Sequence, residues 1–367
     1  MYDVIIIGIG CVGVSTCYQL SKTNMNVLGL EQYNVPNNHG SSHGSSRIFR
    51  LAYHEGEKYI PMLYDSMNMW QKLEKYSPKK LFYQTGSLVM GPINAQKFKN
   101  SKKSCDKFNL DYKIYNDISN VYPAWNLPNN YKTLFQKQGG LIDNKECMKT
   151  QLKQSIKNGI KINTYERVLS WRKYKNKIIV KTNKNKYYTD KIVIASGPWA
   201  KNNSKLKNIL SIEKHVYGQF KMKHNLFEKS NFPVWILDTG NKKYYGLPNH
   251  KNEGTKIGET TYKETIKTMK NYNRSVSYKE KQNLIKFYKK YTNSKIKSVQ
   301  NINTCPLTNT PDGDFIIDEI ENNIFVGVGL SGHGFKLSNI IGKILSNMCE
   351  QKQTKYNIKP FSINRFN

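Results

Sequence analysis

The apolar run from Tyr2 to Ile7 passes into Gly8-Ile9-Gly10-Cys11-Val12-Gly13, then into a helical stretch from Val14 to about Lys22, and Asn26 to Leu30 reads as a second strand closed by Glu31. Strand, glycine turn, helix and strand in this order make a βαβ unit with a dinucleotide fingerprint inside it. Gly8 permits the tight turn, Gly10 lets backbone approach a pyrophosphate, and Gly13 lets the helix pack closely on the strand. The helix N-terminus directs unpaired N–H groups at the phosphates. Glu31, followed by Gln32, stands near the place expected of the carboxylate that holds ribose hydroxyls, roughly 20 residues on. NAD and FAD proteins share this fingerprint, so the rest of the chain has to choose between them.

Two later segments have the same character. Lys191 to Ile194 reads as a buried strand running into the turn Ala195-Ser196-Gly197-Pro198-Trp199, and Asn323 to Gly329 reads as another, feeding Leu330-Ser331-Gly332-His333-Gly334 and an amphipathic helix from about Lys336 to Cys349. Nucleotide-type strands scattered over the whole length imply one discontinuous domain, 1–81, 141–205 and 303–367. The stretches 82–140 and 206–302, with aromatic-rich alternation and charged helices, are expected to build a second, substrate-binding domain.

With 367 residues, 38% of them hydrophobic and 12% aromatic, the chain is long and apolar enough to bury two cores. A net charge of +32 is the electrostatic footprint of a nucleic-acid binder, but only six of the 58 basic residues are Arg, and the Lys are dispersed among Asn. The guanidinium forks needed for phosphate and base recognition are scarce, which points to solvated lysine-rich faces and no nucleic-acid partner. The six Cys form no CxxC pair, so neither a zinc site nor any other metal is expected and the thiols should be reduced. No leader-like segment opens the sequence, and no apolar run reaches the roughly 18 residues of a membrane span, so a cytoplasmic protein is expected.

Further motifs carry a resemblance. They are His39 to Tyr53, reading HGSSHGSSRIFRLAY, Tyr245-Gly246-Leu247-Pro248, Thr255-Lys256-Ile257-Gly258, Cys305 with Asp314-Phe315-Ile316-Ile317-Asp318, and Gly332-His333-Gly334-Phe335-Lys336. With the N-terminal fingerprint, and in this order over nearly the full chain, they resemble the monomeric sarcosine oxidase group of FAD-dependent amine oxidases in the D-amino-acid-oxidase superfamily. N-methyltryptophan and pipecolate oxidases are similar in the same places.

The resemblance implies an α/β fold: an FAD-binding, Rossmann-like domain of the glutathione-reductase type beside a second α+β domain built on a mainly antiparallel sheet. FAD would lie along Gly8, Gly10, Gly13, Glu31, Gln32, Ser42, Gly197 and the Gly332-His333-Gly334 turn. His43 and Arg47 would sit near the flavin ring. A guanidinium suits a carboxylate or a flavin carbonyl better than an ammonium does, and by resemblance Arg50 would hold the substrate carboxylate. Lys336, at a helix start where a cation opposes the helix dipole, would be the second cation on that carboxylate. Lys256 would stand over the flavin and favour its reoxidation by oxygen, and Cys305 would attach the FAD covalently. Tyr245 and Tyr53 are candidate pocket walls. The family often places a His soon after the lysine, where this chain has Thr260, and that leaves the substrate open.

The implied reaction is oxidation of the C–N bond of a secondary amino acid, sarcosine-like in being N-methylated, to an imine that water hydrolyses, while O2 becomes H2O2. A monomer is expected. Cyclic imino acids as substrates, or a dehydrogenase that passes electrons to a carrier, are the alternatives within this reading.

Overall fold

The computed structural model describes residues 1–261 and 264–367. Its first sheet has eight strands, and its centre is parallel: Val27–Leu30, Tyr2–Ile7, Lys186–Ile194 and Ile324–Val328 lie side by side. Val4, Ile5 and Ile6 are all fully buried, as expected of a parallel strand covered on both faces. Alternate residues serve different cores. Val4 and Ile6 join the helices Cys11–Leu20 and Ser338–Cys349, whereas Ile5 and Ile7 pack with Ile178, Val180 and Leu206 on the opposite face. The two helices touch closely because Gly342 has no side chain: a Cβ there would come within 2.6 Å of the Ser15 backbone.

The first helix begins at Cys11, inside the glycine turn, three residues before the stretch expected from the sequence. At the other end, a single 3-10 turn, Phe335–Leu337, precedes the last helix, so Lys336 lies in that turn.

The second sheet has nine strands and is mainly antiparallel, with one parallel pair, Val234–Asp238 beside Ser87–Pro92. Its longest strands, Ser211–Met222 and Ile296–Asn309, pair along most of their length. Residues 303–309, expected with the nucleotide-binding part, therefore continue this antiparallel sheet, and Cys305 belongs to it. A three-stranded sheet, Arg47–Phe49, Gly140–Ile142 and Phe82–Tyr83, adjoins both parts.

Strand alternation sorts the second sheet's residues by face. Val216, Tyr244 and Ile257 point into an aromatic core with Trp235 and Phe287 of the helix Tyr278–Tyr291, which starts with a Ser277/Glu280 capping box. Their neighbours His215, Tyr217, Tyr245 and Lys256 point the other way, toward the first domain's glycine turns, as does Cys305. Among the described residues no helix is long and apolar enough to cross a membrane.

Candidate active site

Between the two sheets lies one continuous cavity of about 1550 Å³. Gly8, Gly10, Glu31, Gln32, Ser42, Arg47, Gly197, Cys305 and the Gly332-His333-Gly334 turn all line it, as do Arg50, Tyr245, Lys256 and Lys336. Gly13 does not. It lies at the contact of helix and strand, where a Cβ would sit 1.9 Å from the Gly8 carbonyl oxygen. His43 also lies behind the wall, buried, its carbonyl accepting from Arg47 at 2.6 Å.

At one end the structure fits a dinucleotide. Gly8 has φ of +89°, and a Cβ would meet Ser196 Cα at 2.6 Å, whereas at Gly10 it would meet only Ser42 Oγ, at 3.5 Å, leaving that backbone open to the cavity. The helix there has Gly10 as its N-cap and no acidic residue in its first turn; the Cys11 N–H donates to Ser42 Oγ at 3.1 Å, and the dipole favours an anion. Glu31 accepts from Ile9 N at 2.8 Å and Tyr33 N at 3.1 Å, one bond on each carboxylate oxygen. Each oxygen keeps a lone pair for a ribose hydroxyl.

In the middle, Arg47 holds its own loop together, donating to the carbonyls of Ser41, His43 and Ser46 at 2.9, 2.6 and 2.9 Å. Ser41 Oγ in turn donates to the Pro306 carbonyl, and Cys305 Sγ lies 3.6 Å from the Ser41 carbonyl. Burial raises the Cys305 thiol pKa, against the pull of Arg47, Lys256 and Arg274. His43 Nδ1 lies 3.3 Å from Tyr217 Oη. Burial, then Arg47 and Lys256, push this imidazole down to about 3, so it is neutral. Lys256 is buried, its ammonium 4.2 Å from the Tyr217 ring centroid, and burial together with Arg47 brings it down to about 7.

At the far end, the Arg50 guanidinium and the Lys336 ammonium both lie over the ring of Tyr53, at 4.6 and 5.3 Å from its centroid. Lys336 Nζ donates to the His333 carbonyl at 2.9 Å, and its pKa falls to about 7 through burial, with Glu55 opposing and Arg50 adding to the shift. His333 Nε2 faces the Gly313 carbonyl at 3.0 Å and so carries the proton, which leaves Nδ1 to accept from Tyr53 Oη at 2.7 Å.

Four residues at this site escaped the sequence reading. Glu55 accepts from Arg50 Nη2 with both carboxylate oxygens, at 2.5 and 2.6 Å. His54 and Lys97 adjoin that pair, His54 Nε2 lying 2.9 Å from Lys97 Nζ. His215 stacks on Tyr245, Nε2 to Oη 3.0 Å, and is held near 4 by burial and by Lys256. Only Glu55 left a trace in the sequence, as an acid five residues from a rare Arg in a lysine-rich chain. Thr260 lies on the cavity wall.

Residues 3–348 match the family described as DAO, FAD dependent oxidoreductase. The chain is 30% identical to monomeric sarcosine oxidase of Arthrobacter sp. (strain TE1826), over 99% of this chain and 96% of that one. It is 28% identical to N-methyl-L-tryptophan oxidase of Yersinia pestis (strain Pestoides F), over 100% and 99% of the two chains. Its fold is similar to that of NikD, an unusual amino acid oxidase essential for nikkomycin biosynthesis, with a TM-score of 0.88 at 19% identity over 98% of this chain and 97% of that one.

Proposed function

Because this chain belongs to the DAO family of FAD-dependent oxidoreductases, we propose that it oxidises the C–N bond of a secondary amino acid whose carboxylate is held between Arg50 and Lys336. The observation that carries this reading is the pair of buried cations over the Tyr53 ring. Arg50 has a planar fork, for which a substrate would compete with Glu55 and the Ala52 carbonyl, and Lys336 a point charge, a combination that suits one carboxylate.

The groups that would hold FAD are the Gly8 to Gly13 turn, Glu31, Ser42, Arg47, Gly197 and the 332–334 turn, and Cys305, on the cavity wall, would carry the thioether. Bound FAD supplies the two-electron oxidation of the amine to an imine, with O2 as the final acceptor and H2O2 as its product. The protein's share is position and charge. An amine gives up electrons only when its lone pair is free, and Lys256, Arg47, Arg50 and Lys336 together disfavour an ammonium among them. The neutral imidazoles of His215 and His333 add no further positive charge and orient the hydroxyls of Tyr245 and Tyr53. Lys256, with a pKa of about 7, puts a cation beside Tyr217 and Cys305 below that pH, where it favours the reaction of the reduced cofactor with oxygen.

The test is a visible spectrum of the purified protein, followed by peroxide measurement over a panel of N-methyl and cyclic amino acids, each with and without an artificial electron acceptor. A flavin spectrum with acceptor-independent peroxide from N-methyl amino acids is expected. A colourless protein would overturn the assignment. Turnover only with the acceptor would make the enzyme a dehydrogenase.

A further inference from the structure

We infer that the cavity holds a second anion subsite at Lys97, beside the Arg50 clamp, and that the amine oxidised carries a carboxylate in its side chain as well as its α-carboxylate. This rests on the reading that Arg50 takes the α-carboxylate.

Lys97 stands in the first turn of the helix Gln96–Lys107, where a cation faces the positive end of the helix dipole. The position costs the helix stability. The nearby acid compensates it only in part: Asp238 accepts from Lys97 N at 3.4 Å and from Gly240 N at 3.0 Å, and its pull on the Lys97 ammonium ranks after the effects of Glu55, Arg50 and Lys243. Among the described residues the Lys97 ammonium has one hydrogen-bond partner, His54 Nε2 at 2.9 Å, and no carboxylate within ion-pair distance. An ammonium has three donors, and Lys97 lies on the cavity wall with room for a ligand on the others.

The imidazole it touches is shared. His54 Nε2 is also 3.5 Å from Arg50 Nη2 and 3.4 Å from Glu55 Oε1. Burial, with Arg50 close by, keeps this imidazole well below its ordinary pKa and therefore neutral. At this end of the cavity four cations, Arg50, Lys336, Lys97 and Lys243, thus face two protein carboxylates, Glu55 and Asp238. Cations taken out of water without counter-charges are strongly destabilising, and a ligand that brings negative charge relieves the strain. One α-carboxylate leaves the cluster positive. A second carboxylate brings it to neutrality, and since one imidazole nitrogen separates the two cations, a side chain of one or two methylenes spans the distance. The remaining walls agree, because Asn100, Lys243 and Thr260 add no acid beside Lys97. Lys97 is lowered to about 8 by burial, with Glu55 opposing, so it remains mostly charged at neutral pH.

The experiment is a titration of the flavin spectrum of the holoenzyme, checked by calorimetry, with two inert thioethers: 2-(methylthio)propanoate and 2-(methylthio)butanedioate. They mimic an N-methyl amino acid without and with a side-chain carboxylate. Wild type should bind the dicarboxylate at least about tenfold more tightly, the value of one charge-assisted hydrogen bond. Lys97→Gln should abolish that preference and Lys97→Arg should keep it. Equal binding of the two ligands by wild type, or an equal loss for both in Lys97→Gln, would overturn the inference and make Lys97 a support for Glu55. Arg50→Ala separates this from the reading beneath it: unchanged affinity for the monocarboxylate would sink the clamp and the subsite together, whereas weakened monocarboxylate binding without any dicarboxylate preference sinks the subsite alone.

Discussion

Both carboxylate oxygens of Glu55 accept from Arg50 Nη2, at 2.5 and 2.6 Å, while Arg50 Nη1 donates to the Ala52 carbonyl at 3.1 Å. A substrate carboxylate that uses Arg50 must compete with that of Glu55. Burial alone would raise the Glu55 pKa, but Arg50 overrides it and holds the group well below the usual carboxylate range, so the competitor is charged at any working pH. Glu55→Gln keeps the shape and removes the charge, and inhibitory carboxylates should then bind several times more tightly. Arg50→Ala should weaken them at least about tenfold, since each charge-assisted bond contributes roughly 1.5–3 kcal/mol, and Arg50→Lys should fall between. Spectral titration of the flavin checks the order; weaker binding in Glu55→Gln would show that Glu55 aids the ligand.

Inhibitor affinity should depend on pH through Lys336. Its pKa in the unliganded cavity is about 7, so the lysine is charged below that pH and neutral above it. A carboxylate binds the charged form and draws its pKa back up, so binding takes up a proton and affinity declines as pH rises through about 7, by up to roughly tenfold per unit. Calorimetry in buffers of different ionisation enthalpy measures the proton directly. Lys336→Met should weaken binding and flatten the profile, and a profile unchanged in that variant would assign the proton to another group.

The flavin should stay with the polypeptide after acid precipitation, through a bond at Cys305. The thiol lies on the cavity wall beside the Ser41 carbonyl, with Arg47, Lys256 and Arg274 drawing its pKa down against burial. Cys305→Ala should release the colour on precipitation. Wild-type flavin that washes out fully in acid would rule out the covalent bond and leave the FAD assignment standing.

Lys256→Met should slow reoxidation by oxygen far more than reduction by substrate. The ammonium is buried beside Tyr217, where a fixed charge acts through a low dielectric. Stopped-flow traces of the two half-reactions separate the effects, and equal losses in both would place Lys256 in substrate positioning.

The nucleotide-binding half was legible because its signals are local. Gly8, Gly10, Gly13 and Glu31 lie within one βαβ unit, and hydrophobic runs mark parallel strands that are buried on both faces. Arg47 and Arg50 stood out for a chemical reason, being guanidinium groups in a chain that otherwise uses lysine. The roles proposed for Lys256, Lys336 and Cys305 come only from the ordered motifs around them, since a lysine or a lone cysteine carries no signal of its own. What only the tertiary structure decided is which side chains meet. His215 faces Cys305 because two long strands pair in that register, and Lys97 reaches His54 because a helix 43 residues along the chain docks against the loop after Arg50. Contacts of that kind depend on strand register and packing between distant segments, and neither is written in the local alternation of apolar and polar residues.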